Sequence, residues 1–375
     1  MKLELFLSRY KDVVGLARYT HALTKHLAQA NVNFTSVEPA YPAIIEASHK
    51  LLQPFGYDVH AFFNIYPVSA KFNSGAVKHF TTQMMAILYS FQPSLKKVVL
   101  SVNDIVPYMM RNHKEQSQYH RFYERVVDER AMKNILQADR ILAISAYTGQ
   151  TLVNYLGCSL DKIRVAYLGV DHEIFRPVIP TDAFRKRYKI SSQYRYLLYV
   201  GSVNPRKNLP RLIQAFAEVK RINPRVKLIK VGTPENPTQY ALLKEQIRTA
   251  RLEDDILWFD NVSNEDLISF YAIADAFVFS SLYEGFGLPP LEAMACGTPV
   301  ICSNSSSLPE VVGDAAITVD PLDIDGWAAA ILQVLGDETM RQELMTRGIA
   351  RAAQFTWART VQETVAVYHE VDQLY

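Results

Sequence analysis

Short apolar runs alternate with amphipathic stretches along the whole chain. Six runs rich in β-branched and aromatic residues in the first half are predicted to be strands: residues 3–7, 34–37, 59–63, 97–102, 140–145 and 163–168. The stretch at 16–30 places Leu16, Tyr19, Leu23 and Leu27 at the three-to-four spacing of one buried helix face. The pattern therefore predicts helices between the strands.

The second half of the chain repeats this alternation. Its predicted strands are residues 196–201, 226–232, 256–260, 276–281, 299–303 and 316–319. Strands that alternate with helices form parallel sheets with right-handed crossovers, so the fold class is α/β with two doubly wound, Rossmann-like domains. Ligands of such sheets bind at the carboxyl ends of the strands.

Chain length agrees with two domains, since 375 residues with 49% hydrophobic content exceed one ordinary core. Residues 170–191 combine prolines and charges with little periodicity, which indicates the join. We place the first domain at 1–175 and the second at 176–354. The last stretch, 355–375, is an amphipathic helix that either caps the second domain or returns to the first.

Charge and cysteine content exclude several classes of protein. A net charge of +2 argues against a general nucleic-acid binder. Residues 1–175 carry 19 Lys and Arg against 14 Asp and Glu, which leaves open a contact with anionic lipid, although uneven solvation is the simpler interpretation. Cys158, Cys296 and Cys302 are too few and too scattered for a disulfide framework or a zinc site, as expected of a cytoplasmic protein.

Hydropathy limits any membrane association to the periphery. No apolar run approaches the roughly 18 residues of a membrane span, and the chain begins directly with a strand-like segment. We therefore expect a cytoplasmic location, with the inner face of the membrane left open. No stretch suggests a metal site.

The most informative segment is residues 284–300, EGFGLPPLEAMACGTPV. It is predicted to form a strand end, a tight loop turned by Gly285 and Gly287, and a helix whose entry a proline pair presets. Glu292 is expected in the first helical turn, near the positive end of the helix, with Glu284 across the loop. Two carboxylates beside backbone N–H donors suit a polyhydroxylated anion such as a nucleotide sugar. The alternative is a pair of solvated surface glutamates.

A pair of cations follows the strand predicted at 196–201. Arg206 and Lys207 come after a Pro205 turn and before a helix opened by Asn208. Adjacent cations at a helix start form an anion site, with the arginine forking onto two oxygens and the lysine acting as a point charge. Surface solvation is the alternative. The chain lacks both G-x-G-x-x-G and G-x-x-x-x-G-K-[ST], which argues against a dehydrogenase or a P-loop NTPase.

These two motifs carry a resemblance to a known family. The 284–300 segment closely resembles the E-x7-E signature of the retaining glycosyltransferases of family 4, and the segment GSVNPRKN resembles the diphosphate-binding loop of that family. Weaker matches at residues 145–157, 167–171, 262–267 and 305–316 follow in the same order. The resemblance implies a GT-B fold, in which two Rossmann-like domains face each other across a cleft and the terminal helix crosses back to the first domain.

The resemblance also implies roles for residues of the second domain. Glu284 and the loop N–H groups at Phe286, Gly287 and Leu288 would contact the donor sugar. Glu292 would hold the ribose. Arg206 and Lys207 would neutralise the departing diphosphate in place of a divalent metal, and Val262 would contact the base.

The first domain resembles the family less closely. Gly15, which opens the first helix, partly matches the glycine loop over the diphosphate. The segment NDIVP after the strand at 97–102 resembles a segment that reads HDLIP in many relatives, so Asn103 stands where histidine is usual. An amide can hydrogen-bond a sugar hydroxyl but cannot hold a proton near neutral pH. Asp104 would orient the acceptor or relay its proton, or else cap a turn.

Together these features predict a retaining, metal-independent hexosyltransferase. Its donor would be GDP-mannose or, second, UDP-glucose, with no separate cofactor. Its acceptor would be a hydroxyl of a glycan or a lipid-linked sugar. Two alternatives stay open: a GT-B nucleotide-sugar epimerase, which needs no acceptor, and a catalytically silent GT-B scaffold subunit.

Overall fold

The structure, a computed structural model, describes residues 1–7, 14–38, 40, 43–53, 62–63, 65–112, 122–234 and 237–375. It divides the chain into two compact units. The N-terminal unit comprises Met1–Gly169 together with Trp357–Tyr375, and the C-terminal unit comprises Val170–Thr356. From sequence we placed these boundaries at 175/176 and 354/355.

The N-terminal unit is built on a six-stranded parallel sheet in the order β2-β1-β3-β4-β5-β6. Its strands are β1 (Leu3–Phe6), β2 (Thr35–Val37), β3 (Val77–Phe80), β4 (Val98–Val102), β5 (Arg140–Ala143) and β6 (Ile163–Val165). The helices described before residue 170 are α1 (Val14–Gln29), α2 (Ala43–Leu52), α3 (Val106–Met109), α4 (Phe122–Asn134) and α5 (Ala146–Leu156), with 3-10 helices at Gln83–Ser90, Ile135–Gln137 and Leu160–Lys162. β3 and β4 are buried along their whole length, as central strands covered on both faces are.

The C-terminal unit repeats this architecture with a second six-stranded parallel sheet, in the order β12-β11-β10-β7-β8-β9. Its strands are β7 (Arg195–Val200), β8 (Val226–Val231), β9 (Ile256–Phe259), β10 (Ala276–Phe279), β11 (Val300–Ser303) and β12 (Ile317–Val319). Its described helices are α6 (Asp182–Arg187), α7 (Leu209–Ile222), α8 (Pro237–Thr249), α9 (Asn264–Ile273), α10 (Leu288–Ala295), α11 (Leu308–Val312), α12 (Ile324–Gly336) and α13 (Glu338–Ala352), with 3-10 helices at Pro205–Lys207 and Glu253–Asp255. The strand order places β10 between β7 and β11, so the segments that follow these three strands share one sheet edge.

The predicted pair of doubly wound domains is confirmed, with one strand misplaced. Eleven of the twelve predicted strands overlap observed ones. The prediction at 59–63 is wrong for Phe62 and Phe63, which are helical, and residues 59–61 lie outside the described part of the chain. The third strand is instead β3, which pairs with β1 and β4. Its sequence VKHF looks too polar for a central strand, yet both polar side chains are buried.

Each buried polar side chain of β3 has specific partners. Lys78 donates through Nζ to the carbonyl oxygens of Ala76 and Lys96, at 2.9 and 3.0 Å. His79 is hydrogen-bonded through Nε2 to Ser101 on β4, at 2.7 Å, and Ser101 is bonded in turn to the hydroxyl of Tyr19 on α1. These bonds compensate the loss of hydration, which lets a central strand carry charged and polar residues.

The terminal helix α14 (Trp357–Gln373) completes the N-terminal unit. Its Tyr368 is fully buried and is hydrogen-bonded to His79 Nδ1 at 2.6 Å. Further along, Glu370 pairs with Arg140 and Arg164, both at 2.6 Å. The helix is therefore fixed to the first sheet by a buried hydrogen bond and by ion pairs at its end.

Burial sets the protonation states in this network. Burial lowers the pKa of His79 to about 3. Burial likewise raises the pKa of Tyr19 to about 12, although its hydrogen bond with Ser101 acts the other way. The network is thus neutral at physiological pH. In the described part of the chain, no helix combines the length and apolar character needed to cross a membrane.

We expect acid to destabilise the protein through His79. Its pKa is about 3 in the fold and 6.5 ordinarily, so below pH 6.5 the unfolded chain binds a proton that the folded chain does not. At about 1.4 kcal/mol per pKa unit, lowering the pH by two units from 6.5, where half of the unfolded chains are already protonated, removes about 2 kcal/mol of unfolding free energy. His79→Gln cannot titrate, so its melting temperature should fall less over this range. If calorimetry shows the melting temperatures of the two proteins falling equally steeply with pH, the assignment of this pH dependence to His79 is wrong.

Candidate functional site

The basic pair lies in the loop after β7, at the carboxyl edge of the second sheet. Arg206 and Lys207 form a 3-10 turn with Pro205, and the side chain of Asn204 accepts a hydrogen bond from the Arg206 N–H at 3.2 Å. Asn208 ends the turn in the left-handed region, with φ 57°, and α7 begins at the next residue. Asparagine tolerates this backbone conformation better than most residues, so the turn is locally encoded.

Hydrogen bonds join this turn to the segments after β10 and β12. Asn208 Nδ2 donates to the carbonyl oxygens of Ser280 and Pro321, at 3.2 and 2.6 Å. The Leu282 N–H donates to the Arg206 carbonyl at 2.7 Å. Because β7 and β10 are neighbours in the sheet, these bonds hold the two loops beside each other.

Glu284 binds both cations. Its Oε1 accepts from Lys207 Nζ at 2.7 Å and its Oε2 accepts from Arg206 at 3.0 Å. The side chains of Glu284 and Lys207 are each 9% exposed, whereas that of Arg206 is 27% exposed. The cluster of these three residues is therefore desolvated on one side and reaches solvent through the arginine.

Electrostatics keep Glu284 ionised. Burial by itself would raise the pKa of Glu284, but the charges of Lys207 and Arg206, with the Lys207 hydrogen bond, outweigh burial and lower that pKa to about 2. With two cations and one carboxylate, the cluster carries one net positive charge at neutral pH. Such a site is suited to an anion.

Two serines after β11 hold the backbone of Glu284. Ser306 Oγ accepts a hydrogen bond from the Glu284 N–H at 2.9 Å. Ser307 Oγ donates to the carbonyl oxygens of Glu284 and Phe286, at 3.0 and 2.6 Å. In the sequence this serine run is only a weak match to the family and gives no indication of these bonds. The signal, three consecutive serines after a buried strand, is equally typical of an ordinary surface turn.

The glycine loop between Glu284 and α10 has little free space. Phe286 is buried against Phe355, with ring centroids 5.9 Å apart, so its side chain has a packing role. Gly287 has φ 126°, and a Cβ there would lie 2.8 Å from Cδ2 of Leu308. Leu288, the first residue of α10, is half-buried. The loop therefore presents main chain, and only glycine fits at 287.

The sequence predicts Glu292 in the first helical turn, and the structure places it one residue beyond that turn. α10 begins at Leu288, before the proline pair, so Glu292 is its fifth residue and not part of the first turn. The residue is 2% exposed, and its carboxylate accepts a hydrogen bond from the Tyr271 hydroxyl at 3.1 Å. The prediction erred because proline is allowed throughout the first turn of a helix as well as at its first position, where we had placed it.

Val262 lies in a loop of the C-terminal unit, and Gly15 lies in a helix of the N-terminal unit. Val262 is half-buried in the loop between β9 and α9, at the edge of the second sheet. Gly15 is the second residue of α1 in the N-terminal unit, and the loop before that helix lies outside the described residues.

Asn103 and Asp104 follow β4 in the N-terminal unit. Asp104 Oδ1 accepts a hydrogen bond from the Val106 N–H at 3.0 Å and so closes an Asx turn just before the short helix α3, whose N-cap residue is Ile105. This contact is the capping role expected as the alternative, and it leaves the second carboxylate oxygen for other chemistry. Asn103 Nδ2 is buried with no hydrogen-bond partner among the described residues, which costs about 1–3 kcal/mol unless a ligand satisfies it.

The structure thus brings Arg206, Lys207 and Glu284 into direct contact, while Glu292 is bonded separately to Tyr271. Asn103 and Asp104 form a second polar group at the first sheet. Within the described ranges, no three His, Cys, Asp or Glu side chains are arranged to hold a metal ion.

Comparison with known proteins identifies the family. Residues 13–174 match Glycosyltransferase Family 4, and residues 180–351 match Glycosyl transferases group 1. The chain belongs to glycosyltransferase family 4. Its fold is the GT-B fold of that family, with two Rossmann-like domains: sucrose-phosphate synthase from Thermosynechococcus elongatus aligns with a TM-score of 0.77 at 20% identity, over 100% of both chains.

Among curated relatives, the family 4 chain is similar to two mannosyltransferases of Escherichia coli. It is 34% identical over 246 residues to O-antigen chain mannosyltransferase B. This alignment covers 65% of the chain and 64% of that protein. It is 32% identical over 272 residues to the serotype-specific mannosyltransferase WbdA, covering 70% of this chain and 32% of that protein. The matched segment therefore spans less than two thirds of either relative.

We expect Gly287→Ala to destabilise the C-terminal unit by about 2 kcal/mol or more, because it combines a strained φ with a steric clash. Gly336→Ala is the matched control, since nothing in the described part of the chain lies within 4 Å of its added methyl group. Urea unfolding measures both variants. A Gly287→Ala protein as stable as the control would show that the loop relaxes without cost.

Proposed function

We propose that this family 4 protein is a retaining hexosyltransferase that uses a nucleoside diphosphate sugar, with GDP-mannose as the favoured donor. The observation that carries the proposal is the cluster of Arg206, Lys207 and Glu284. It combines a net positive charge with an ionised, buried carboxylate at the carboxyl edge of a Rossmann-like sheet. Ligands of such sheets bind at this edge.

The diphosphate of the donor would bind to the basic pair. Arg206 is the more exposed cation and offers a planar fork that matches two phosphate oxygens. Lys207 is nearly buried and acts as a fixed point charge. As negative charge develops on the leaving diphosphate, both cations would stabilise it without a metal ion.

Glu284 would accept hydrogen bonds from the hydroxyls of the donor sugar. Each of its oxygens already has a cationic partner, and each retains a further lone pair for a hydroxyl. Its low pKa keeps it an acceptor at any physiological pH. Ser306 and Ser307 fix its backbone, so the carboxylate is positioned before the donor binds.

Other positions would bind the nucleoside. Glu292 would accept hydrogen bonds from the ribose hydroxyls, with the Tyr271 hydroxyl orienting its carboxylate. The main chain at 286–288 would lie against the donor, and Val262 would contact the base.

The reaction would be a front-side substitution at the anomeric carbon. The bond from that carbon to the diphosphate oxygen breaks as the acceptor hydroxyl oxygen bonds to the same face. The hydroxyl proton moves to an oxygen of the leaving phosphate, so the products are the glycoside and a nucleoside diphosphate. Asp104 would orient the acceptor hydroxyl with its Oδ2, the carboxylate oxygen that is not bonded to the Val106 N–H.

The names of the relatives favour mannose as the sugar. Two of them are mannosyltransferases, and one is named for the O-antigen chain, which supports a glycan acceptor. UDP-glucose is the second candidate donor. The enzyme would act in the cytoplasm, on a free or lipid-linked glycan.

The experiment is a donor-consumption assay read by mass spectrometry. The protein is incubated with GDP-mannose, UDP-glucose or UDP-N-acetylglucosamine and a panel of soluble and lipid-linked mannosides. We expect acceptor-dependent loss of GDP-mannose and an α-linked product. Conversion of the donor without acceptor would instead indicate an epimerase, and no donor-dependent thermal shift with any of the three would indicate a silent scaffold.

Arg206→Ala should lower kcat by about 100-fold, since it removes a hydrogen-bond donor to the leaving group, and should change donor KM much less. Arg221→Ala is the control, because Arg221 is an exposed arginine on α7 whose ion pair with Glu218 lies at the surface. Steady-state kinetics with the active donor measure the effect. Unchanged turnover in Arg206→Ala would refute the role given to this residue.

A further inference from the structure

The side chain of Gln83 bridges the main chain of the segment that carries Asn103 and Asp104. Gln83 is 5% exposed and begins the 3-10 helix after β3. Its Nε2 donates to the Asp104 carbonyl oxygen at 2.8 Å, and its Oε1 accepts from the Asn103 N–H at 3.3 Å. The Gln83 amide therefore donates to one residue and accepts from the residue before it.

The sheet explains how this contact arises. β3 and β4 are parallel neighbours, with Phe80 opposite Leu100. Gln83 and Asn103 each lie three positions beyond that pair, where β4 has ended and the main chain no longer has a strand partner. The Gln83 amide supplies the donor and the acceptor that a continuing strand would have supplied.

A second contact holds Asn103 from the other neighbouring strand. Thr148, in the first turn of α5 after β5, donates through Oγ1 to the Asn103 carbonyl oxygen at 3.4 Å, and Ser145 donates to Thr148 at 2.9 Å. Ser145 and Thr148 are fully buried. The main chain of Asn103 is thus bonded on both sides, by Gln83 and by Thr148.

The main chain of Asn103 is hydrogen-bonded, whereas its side-chain donor is not, among the described residues. Its Nδ2 is buried, and no group within the described residues accepts a hydrogen bond from it. A donor kept in place by two main-chain bonds and left unsatisfied is poised for an acceptor oxygen from outside the protein. A sugar hydroxyl or ring oxygen is such an acceptor.

We infer that Gln83 is a positioning residue for glycosyl transfer: it fixes the main chain at Asn103 and Asp104 so that the Asn103 amide and the Asp104 carboxylate meet an oxygen-rich substrate in one orientation. The inference rests on the function proposed above and adds a residue that touches no substrate. Displacement of the segment by even about 1 Å would misalign both groups.

Glutamine is the residue type that fits this task. Its amide has a donor and an acceptor, as the Asp104 carbonyl oxygen and the Asn103 N–H require. Glutamate would set a carboxylate oxygen against the Asp104 carbonyl, and leucine would leave both main-chain groups without their partner.

The test compares Gln83→Leu with Gln92→Leu. Gln92 lies in the same unit and also donates to a main-chain oxygen, that of Ala70, at 3.0 Å, away from residues 103–104. The control therefore removes a similar hydrogen bond elsewhere. If Gln83→Leu does not yield folded protein, the nearly isosteric Gln83→Glu replaces it.

Hydrogen exchange read by mass spectrometry tests the positioning itself. In Gln83→Leu, amides in peptides covering 103–110 should exchange about tenfold faster or more than in the wild type, and in Gln92→Leu they should not. Unchanged exchange at 103–110 would overturn the inference, whether or not the protein has a measurable activity.

Kinetics test whether positioning matters for transfer. Gln83→Leu should lower kcat by about 10- to 100-fold. The dissociation constant for GDP, measured by calorimetry, should stay at the wild-type value, because Arg206 and Lys207 belong to the other unit. In a background that lacks both positioned groups, Asn103→Ala with Asp104→Asn, the loss caused by Gln83→Leu should shrink to about threefold or less, since the groups that Gln83 positions are then absent.

The outcomes separate the two proposals. Faster exchange with unchanged kcat, or full additivity with the combined Asn103→Ala and Asp104→Asn changes, would overturn the role of Gln83 in transfer and leave the proposed function intact. A wild-type protein that transfers no sugar from any donor would refute the proposed function, and this inference would fall with it as a statement about catalysis. The exchange result would still show whether Gln83 fixes the segment.

Discussion

The pairing of Glu284 with Arg206 and Lys207 is the interaction on which the candidate site depends. A nearly buried lysine and a nearly buried glutamate are each costly to desolvate, and each is tolerated because the other is within 2.7 Å. The pair also ties the loop after β10 to the loop after β7, so the same contact that neutralises the charges shapes the site. An anionic ligand would compete with Glu284 for the two cations, and binding would then be coupled to the geometry of the carboxylate.

Much of the fold could be predicted from sequence, because most strands are continuous apolar runs and most helices have one apolar face. The failure at β3 has a specific cause. Lys78 and His79 are buried in a central strand through bonds to Ala76, Lys96, Ser101 and Tyr368, and most of these partners are far away in the chain. A pattern of polarity along one segment cannot reveal that its polar groups will find partners elsewhere. The apolar stretch near residue 60 was the more strand-like of the two by composition alone.

The residues of the candidate site also fall into those that the local sequence indicates and those that it does not. Glu284, Arg206 and Lys207 could be singled out from sequence, since their spacing relative to strand ends and helix starts is a local signal, and the structure places them in contact. Ser306, Ser307 and Gln83 could not, because each acts through its side chain on main-chain groups remote in sequence. Serine and glutamine are common at surfaces, so their identity carries little information before the fold is known. Glu292 falls between these cases. Its place in the helix after the glycine loop was predicted correctly, but the helix starts earlier than predicted, so the residue lies just beyond the first turn.

The membership of α14 in the N-terminal unit has a consequence for how the protein matures. During synthesis, the first sheet emerges from the ribosome long before Tyr368 does, and until then His79 lacks the hydroxyl that its Nδ1 binds in the finished fold. The C-terminal unit, which is continuous in sequence, can close on its own in the meantime. The unit that begins first is therefore completed only after residues 170–356 have been made, and its sheet lacks the helix that packs on it until Tyr368 has been synthesised.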